Sequence, residues 1–309
     1  MATLPDPHAR TGLPAEVTIY EVGPRDGLQA EKAIVPLETK LLLIDRLADA
    51  GLTIIETTSF VSPRWVPQLA DADALFGQLQ RRPGIRYPVL VPNQRGLDRA
   101  LQAGADEVAV FVSATERFAA ENLGTTRDGA IEMAAPVIEQ ARTKGLRVRG
   151  YVSMCWGDPW EGRVDPEQPA QVAARLRQLG CTTVSLGDTI GVATAGHVRV
   201  VLDAVEAAGV PRDRIALHFH DTYGQALANV LAGLEAGVTE FDSSAGGLGG
   251  CPYARSATGN LATEDLVWML EGLGIPTGVD LDLLVRTSRW IAGELGRPAP
   301  SRVVAALAG

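Results

Sequence analysis

The sequence is short of the residues that several protein classes need. Its three cysteines, Cys155, Cys181 and Cys251, are far apart and odd in number, so no disulfide framework is built on them. Aromatic residues make up 5% of the chain, and acidic groups outnumber basic ones for a formal charge of −9. A nucleic-acid surface needs basic patches and stacking platforms, and both are missing. No apolar run approaches the ~18 residues of a membrane span. The opening Met1-Ala-Thr-Leu-Pro-Asp-Pro-His8 has no basic region followed by an apolar stretch, and strand-like sequence starts at Val17. Neither a secretory signal nor a transit peptide is expected. The expected setting is the reducing cytoplasm, with no nucleic-acid and no membrane partner. What is present is ordinary for a folded core: 46% hydrophobic and 21% charged residues, which excludes wholesale disorder.

At 309 residues the chain fits two ordinary domains or one large α/β barrel. One pattern repeats from end to end: an aliphatic or β-branched run, a polar or Gly-rich break, then an amphipathic stretch. Strands are expected at Val17–Val22, Thr53–Thr58, Tyr87–Val91, Glu107–Ser113, Arg147–Ser153, Thr183–Asp188, Ile215–His220 and Glu240–Ser244. Helices are expected at Pro36–Ala50, Trp65–Gln80, Arg95–Ala103, Arg127–Lys144, Pro166–Leu179, Ala195–Ala208, Gly224–Ala236 and Thr263–Leu273. Gly51, Gly104, Gly145, Gly180, Gly209 and Gly237 follow helices, where a left-handed stop belongs. Alternating units of this kind predict a single (β/α)8 TIM barrel over residues 1–309, with one or two C-terminal helices in 280–309. A Rossmann sheet is the lesser alternative, because no G-x-G-x-x-G follows the first strand.

In such barrels the active site lies at the C-terminal ends of the strands, and the unusual residues of this chain collect there. His218 and His220 are two of only four histidines and lie two apart on one strand. Strand side chains alternate faces, so both imidazoles point one way, into the mouth, and Phe219 the other. Two converging imidazoles suit a divalent cation, or else form a hydrogen-bonded structural pair. Asp26, after the first strand, is the best third ligand, although Asp also serves turns and helix caps. A mixed N/O set leaves open positions and suits Mg²⁺, Mn²⁺ or Zn²⁺. Arg25 would place a fixed cation beside it. Glu56 interrupts an apolar run and needs a partner if buried, with Arg25 the obvious one; otherwise it is solvated at the strand end. Cys251 closes the run of glycines in the loop 246–253, which suggests a movable acid or nucleophile, or alternatively a phosphate cradle. Asn260 either caps locally or completes the metal shell. Asp221 reads as a cap for the following helix, Cys155 and Cys181 as buried hydrophobes, and His8 and His197 as surface residues.

These motifs resemble the hydroxymethylglutaryl-CoA lyases. The resemblance runs over residues 16 to 300 and rests on Glu21-Val-Gly-Pro-Arg-Asp-Gly-Leu-Gln29, Ile55-Glu-Thr-Thr-Ser-Phe-Val-Ser-Pro63 and Ser185-Leu-Gly-Asp-Thr-Ile-Gly191. It continues in His220-Asp-Thr-Tyr-Gly-Gln-Ala-Leu-Ala-Asn229, Gly247-Leu-Gly-Gly-Cys-Pro-Tyr253 and Gly259-Asn-Leu-Ala-Thr-Glu-Asp265. It implies that Asp26, His218, His220 and Asn260 hold Mg²⁺ or Mn²⁺. It also implies catalytic roles for Arg25, Asp26, Glu56, His218 and Cys251, and substrate contacts for Arg25, Gln29 and Asp188. The implied reaction cleaves 3-hydroxy-3-methylglutaryl-CoA to acetyl-CoA and acetoacetate in a homo-oligomer that takes an acyl-CoA thioester. Asp26 or His218 would act as base, Arg25 would offset enolate charge, and Cys251 would be a candidate acid. Two features depart from the pattern: Phe219 stands where a Cys is expected, and Trp156 and Trp160 follow the fifth strand, where they bear on the acyl group accepted. The regulatory cysteine near the C-terminus of animal enzymes is absent. Alternatives are a lyase for a longer branched 3-hydroxyglutaryl-CoA, a Claisen-type synthase of the same superfamily, a metal-dependent hydrolase barrel and a non-catalytic metal-binding protein.

Overall fold

The structure, a computed structural model, describes residues 5–250 and 259–307. Its main sheet has eight parallel strands. They are β1 (Thr18–Glu21), β2 (Thr58–Ser59), β3 (Val89–Leu90), β4 (Glu107–Ser113), β5 (Arg147–Ser153), β6 (Thr183–Asp188), β7 (Ile215–Phe219) and β8 (Glu240–Ser243). Neighbours in sequence are neighbours in space, and β8 pairs with β1. The ring closes between β1 and the approach to β2, where Glu21 N–H donates to Ile54 C=O at 3.1 Å and Glu56 N–H to Glu21 C=O at 2.8 Å. The expected (β/α)8 barrel is therefore the observed fold.

The shortness of β2 and β3 has a covalent cause. Ile55 N–H reaches Arg86 C=O and Thr57 N–H reaches Pro88 C=O, both at 3.0 Å. The return bond from residue 88 is missing, because proline has no N–H. The run expected at Thr53–Thr58 is thus held by single bridges at Ile54 and Ile55 before regular pairing starts at Thr58. The helix expected at Trp65–Gln80 is also broken. Pro67 opens a 3₁₀ turn (Pro67–Leu69), and α-helix runs only from Ala72 to Gln78.

Helices α1 (Leu37–Asp49), α2 (Ala72–Gln78), α3 (Gln94–Gln102), α4 (Glu116–Leu123), α5 (Arg127–Thr143), α6 (Glu167–Leu179), α7 (Ala195–Ala207), α8 (Ala226–Glu235) and α9 (Thr263–Gly272) surround the strands. The six glycines read as helix stops all have positive φ, between 79° and 110°. Helix α4 and a small hairpin, Gly157–Asp158 with Gly162–Arg163, are additions to the expected pattern. The C-terminal extension is α10 (Leu281–Glu294), lying against α1 and α9, then α11 (Arg302–Ala306). Among the described residues no helix is long and apolar enough to cross a membrane.

Most of the apolar core lies between strands and helices in one continuous cluster. Among the described residues, the inside of the ring holds two small clusters: Tyr20, Val22 and Ile54, and Leu90, Ala109 and Tyr151 with Phe111. Branched aliphatics usually fill such an interior. Here much of that space holds polar side chains instead: Glu56, Arg149, Ser185 and Asp242 are all buried.

Candidate active site

The segment after β1 builds one side of the mouth. Gly23–Gly27 makes a single π-helical turn in which Gly27 N–H reaches Val22 C=O at 3.2 Å. Pro24 suits its start, where an N–H is not needed. Such wide turns recur at functional sites. This one sets two charged side chains together: Arg25 Nη1 donates to Asp26 Oδ1 at 2.6 Å. Arg25 Nε donates to Glu56 Oε2 at 2.5 Å, and the Tyr151 hydroxyl to Glu56 Oε1 at 3.3 Å. Glu56, fully buried, has the cationic partner that burial demands. Burial pushes its carboxyl up against the pull of Arg25. Burial also opposes charge on Asp26, yet Arg25 and then the two histidines bring that carboxyl down to about 2.

The opposite side comes from the end of β7. The His218 and His220 rings lie 5.2 Å apart, and Phe219 faces away onto Trp156 at 5.5 Å. Asp26, His218 and His220 each offer one donor atom, and the three atoms lie within 4.8 Å of one another. His218 Nδ1 is 3.2 Å from Asp242 Oδ2. His220 Nδ1 is buried with no hydrogen-bond partner. Burial, then the neighbouring His218, lowers the His220 imidazole to about 3, so it is neutral and keeps a lone pair on one ring nitrogen.

Asn260 reaches the same point from the strand-like return that bridges His220. Its Nδ2 donates to Asp26 Oδ2 at 2.8 Å and to Leu248 C=O at 3.1 Å. The amide is thereby oriented, and Oδ1 is left buried without a partner. Gly249 runs across it at φ 122°, where a Cβ would meet Nδ2 at 2.7 Å, so only glycine passes here. An orphaned amide oxygen and an orphaned imidazole nitrogen beside one carboxylate and a second imidazole fit a divalent cation. The four residues present can hold it.

Two acids brace the root of the Gly-rich loop. Glu21 accepts from Gly23 N–H at 2.7 Å, Ala245 N–H at 2.9 Å and the Thr263 hydroxyl at 2.6 Å. Glu264 accepts from Gly246 N–H at 2.8 Å and from the Ser288 hydroxyl. Both are completely buried, and burial raises them to about 7 and about 8.

Other expected residues fall as follows. Gln29 is half-buried on the segment that carries Asp26. Asp188 is buried, and its oxygens accept from Val192 and Ala193 N–H at 2.9 and 3.0 Å, which holds the turn after β6. Asp221 accepts from Ala226 N–H, the first residue of α8, at 3.0 Å. Cys155 and Cys181 are buried, and burial pushes both thiols up, Cys181 to about 12. His8 is exposed and His197 half-buried. Trp156 packs in the apolar layer outside the ring, while Trp160 is 43% exposed and lines a cleft of about 940 Å³ with Glu116, Arg117 and Glu161. Cys251 lies outside the described residues.

Sequence reading missed Arg149, Tyr151 and Asp242. Their signal was present in the alternation of β5, where Arg147, Arg149, Tyr151 and Ser153 interleave with Val148, Gly150 and Val152, and in Glu240 and Asp242 around Phe241. Polar residues on the inner face of a barrel strand point into the ring.

Known proteins share this fold and about half of this sequence. The 3-hydroxy-3-isohexenylglutaryl-CoA/hydroxy-methylglutaryl-CoA lyase of Pseudomonas aeruginosa is 52% identical over 295 residues, 96% of this chain and 98% of that protein. The mitochondrial hydroxymethylglutaryl-CoA lyase of Mus musculus is 52% identical over 294 residues, 95% of this chain and 90% of that protein. The crystal structure of hydroxymethylglutaryl-CoA lyase from Pseudomonas aeruginosa superposes with a TM-score of 0.94 at 51% identity, covering 96% of this chain and 99% of the other. The HMGL-like family model matches residues 16–291, which takes in all eight strands and every residue described at the mouth, and on that extent of match the chain belongs to the HMGL-like family.

Proposed function

We propose that this protein is a divalent-metal-dependent carbon–carbon lyase that cleaves 3-hydroxy-3-methylglutaryl-CoA to acetyl-CoA and acetoacetate. The observation that carries the reading is the gathering of Asp26, His218, His220 and the orphaned Asn260 Oδ1 beside an immobilised Arg25. Relatives of this extent and identity bear the name of that activity.

The reaction needs the C3 hydroxyl to lose its proton as the C2–C3 bond breaks. The bonding pair then passes to the thioester as an enolate, which a second proton converts to acetyl-CoA. When bound at Asp26, His218, His220 and Asn260, Mg²⁺ or Mn²⁺ supplies the Lewis acidity that brings a hydroxyl proton within reach of a weak base. Asp26, held ionised, is the base at that point. Arg25 has its Nε and Nη1 committed to Glu56 and Asp26, so its planar fork is fixed before substrate arrives. Its remaining donors are placed to stabilise enolate charge. Cys251, at the end of the glycine run in the sequence, is the candidate proton donor.

A longer branched 3-hydroxyglutaryl-CoA is the second reading, favoured by the double name of the Pseudomonas relative. The test is to incubate purified protein with Mg²⁺ or Mn²⁺ and each thioester. Acetoacetate is expected from hydroxymethylglutaryl-CoA, and exhaustive chelation is expected to abolish it. Cleavage of neither thioester, or undiminished cleavage after chelation, rejects the proposal.

A further inference from the structure

Charged side chains inside the ring form a strut that ends on one of the mouth histidines. Asp242 on β8 is completely buried, and its strand neighbour across the β7–β8 pairing is His218. Asp242 Oδ2 lies 3.2 Å from His218 Nδ1 and 3.0 Å from the Ser185 hydroxyl on β6. Its other oxygen takes the guanidinium of Arg149 on β5, which also binds Glu240. Arg149 is itself buried, with its guanidinium carbon 4.0 Å from the Tyr20 ring centroid and 5.1 Å from that of Tyr151. Four strands are thus tied to one imidazole.

Filling a barrel interior with ions costs desolvation that aliphatic side chains would avoid. The strut has a chemical consequence that an apolar filling would lack. A neutral imidazole donates from one nitrogen and accepts at the other. An ionised carboxylate only accepts, so Asp242 selects the form of His218 that carries its proton on Nδ1. Nε2 is then left bare, with its lone pair free for the centre formed with Asp26 and His220. His220 has no such partner, since its Nδ1 is orphaned.

We propose that Asp242 is a positioning residue that fixes the tautomer and ring orientation of His218, and that Arg149 holds Asp242 in place for that task. The proposal rests on the metal-centre reading of the mouth. Carboxylate partners of ligating histidines typically carry 10- to 100-fold in metal affinity.

Two measurements test it. Nitrogen-15 NMR of metal-free wild-type protein at alkaline pH, where imidazole is neutral, should show His218 protonated on Nδ1. Protonation on Nε2 would overturn the proposal without any variant. In Asp242→Asn the amide can donate to Nδ1, which drives the proton to Nε2. That variant should bind Mn²⁺ 10- to 100-fold more weakly in a direct binding titration, with an inverted tautomer signal. Its KM for the thioester at saturating Mn²⁺ should stay near the wild-type value. Wild-type Mn²⁺ affinity in folded Asp242→Asn also overturns the proposal. Failure of wild-type protein to bind Mn²⁺ would sink the metal-centre reading instead, and the NMR result would still decide the tautomer.

Discussion

Arg25 bonds Glu56 and Asp26 through separate nitrogens, which leaves its second terminal nitrogen for another acceptor. Burial disfavours its charge, and the two carboxylates more than restore it. A lysine would keep the charge but lose the fork. Arg25→Lys is therefore expected to bind metal and lose on the order of 2.7–4 kcal/mol of transition-state stabilisation, the range for removing one oxyanion donor. Steady-state turnover with a parallel Mn²⁺ titration checks this; near-normal turnover would reduce Arg25 to a counter-ion for Glu56. Cys251 carries the second prediction at this scale. A hydroxyl is a far weaker acid than a thiol of similar size. Cys251→Ser should fold and bind metal yet turn over much more slowly, and substrate analogue should protect the wild-type thiol from alkylation. Full activity in the Ser variant would move proton delivery to another group.

At the scale of elements, the root of the Gly-rich loop hangs on two carboxylates that, among the described residues, have no cation in contact. Glu264 holds Gly246 N–H and the Ser288 hydroxyl of α10, and Glu21 holds the start of the π-turn and Ala245. Burial raises Glu264 to about 8 and Glu21 to about 7, against 4.5 for an ordinary glutamate. Between pH 4.5 and about 8 the folded chain binds more protons than the unfolded one at these sites. Their contribution to stability is complete below pH 4.5 and is lost as pH climbs through that window. Glu264→Gln cannot titrate, so its Tm should fall less than the wild-type Tm between pH 5 and pH 8.5, by several degrees. Parallel Tm–pH curves for the two proteins would remove Glu264 from this account.

Across the whole molecule, the proposed metal ligands come from the turn after the first strand, the end of the seventh strand and the return after the eighth, so a bound cation would tie distant parts of the chain together. An ion that binds only the folded state stabilises by mass action, about 2.7 kcal/mol at 100 times its Kd. Mn²⁺ should raise the Tm of wild-type protein and leave that of His220→Ala nearly unchanged. Equal shifts in both would place the ion elsewhere.

The sequence by itself determined the repeating units, the barrel, the helix stops at six glycines, and the facing of His218 and His220. These follow from local rules: strand period, helix period and the positive φ that glycine tolerates. It also placed Asp26, Arg25 and Glu56 at strand ends, which in this fold means one mouth. Strand length was less legible, because whether Pro88 interrupts a ladder depends on which strand faces it. Beyond the pairing of Arg25 with Glu56, tertiary structure alone decided the partners. Arg149, Ser185, Asp242 and His218 lie on four strands, and nothing local to any of them shows that they meet. Trp156 and Trp160, four residues apart, part company for the same reason: one packs on Phe219 outside the ring, and the other stands at a surface cleft. Which side chains share the interior of a closed ring is set by strand order and stagger, and those exist only once the ring has closed.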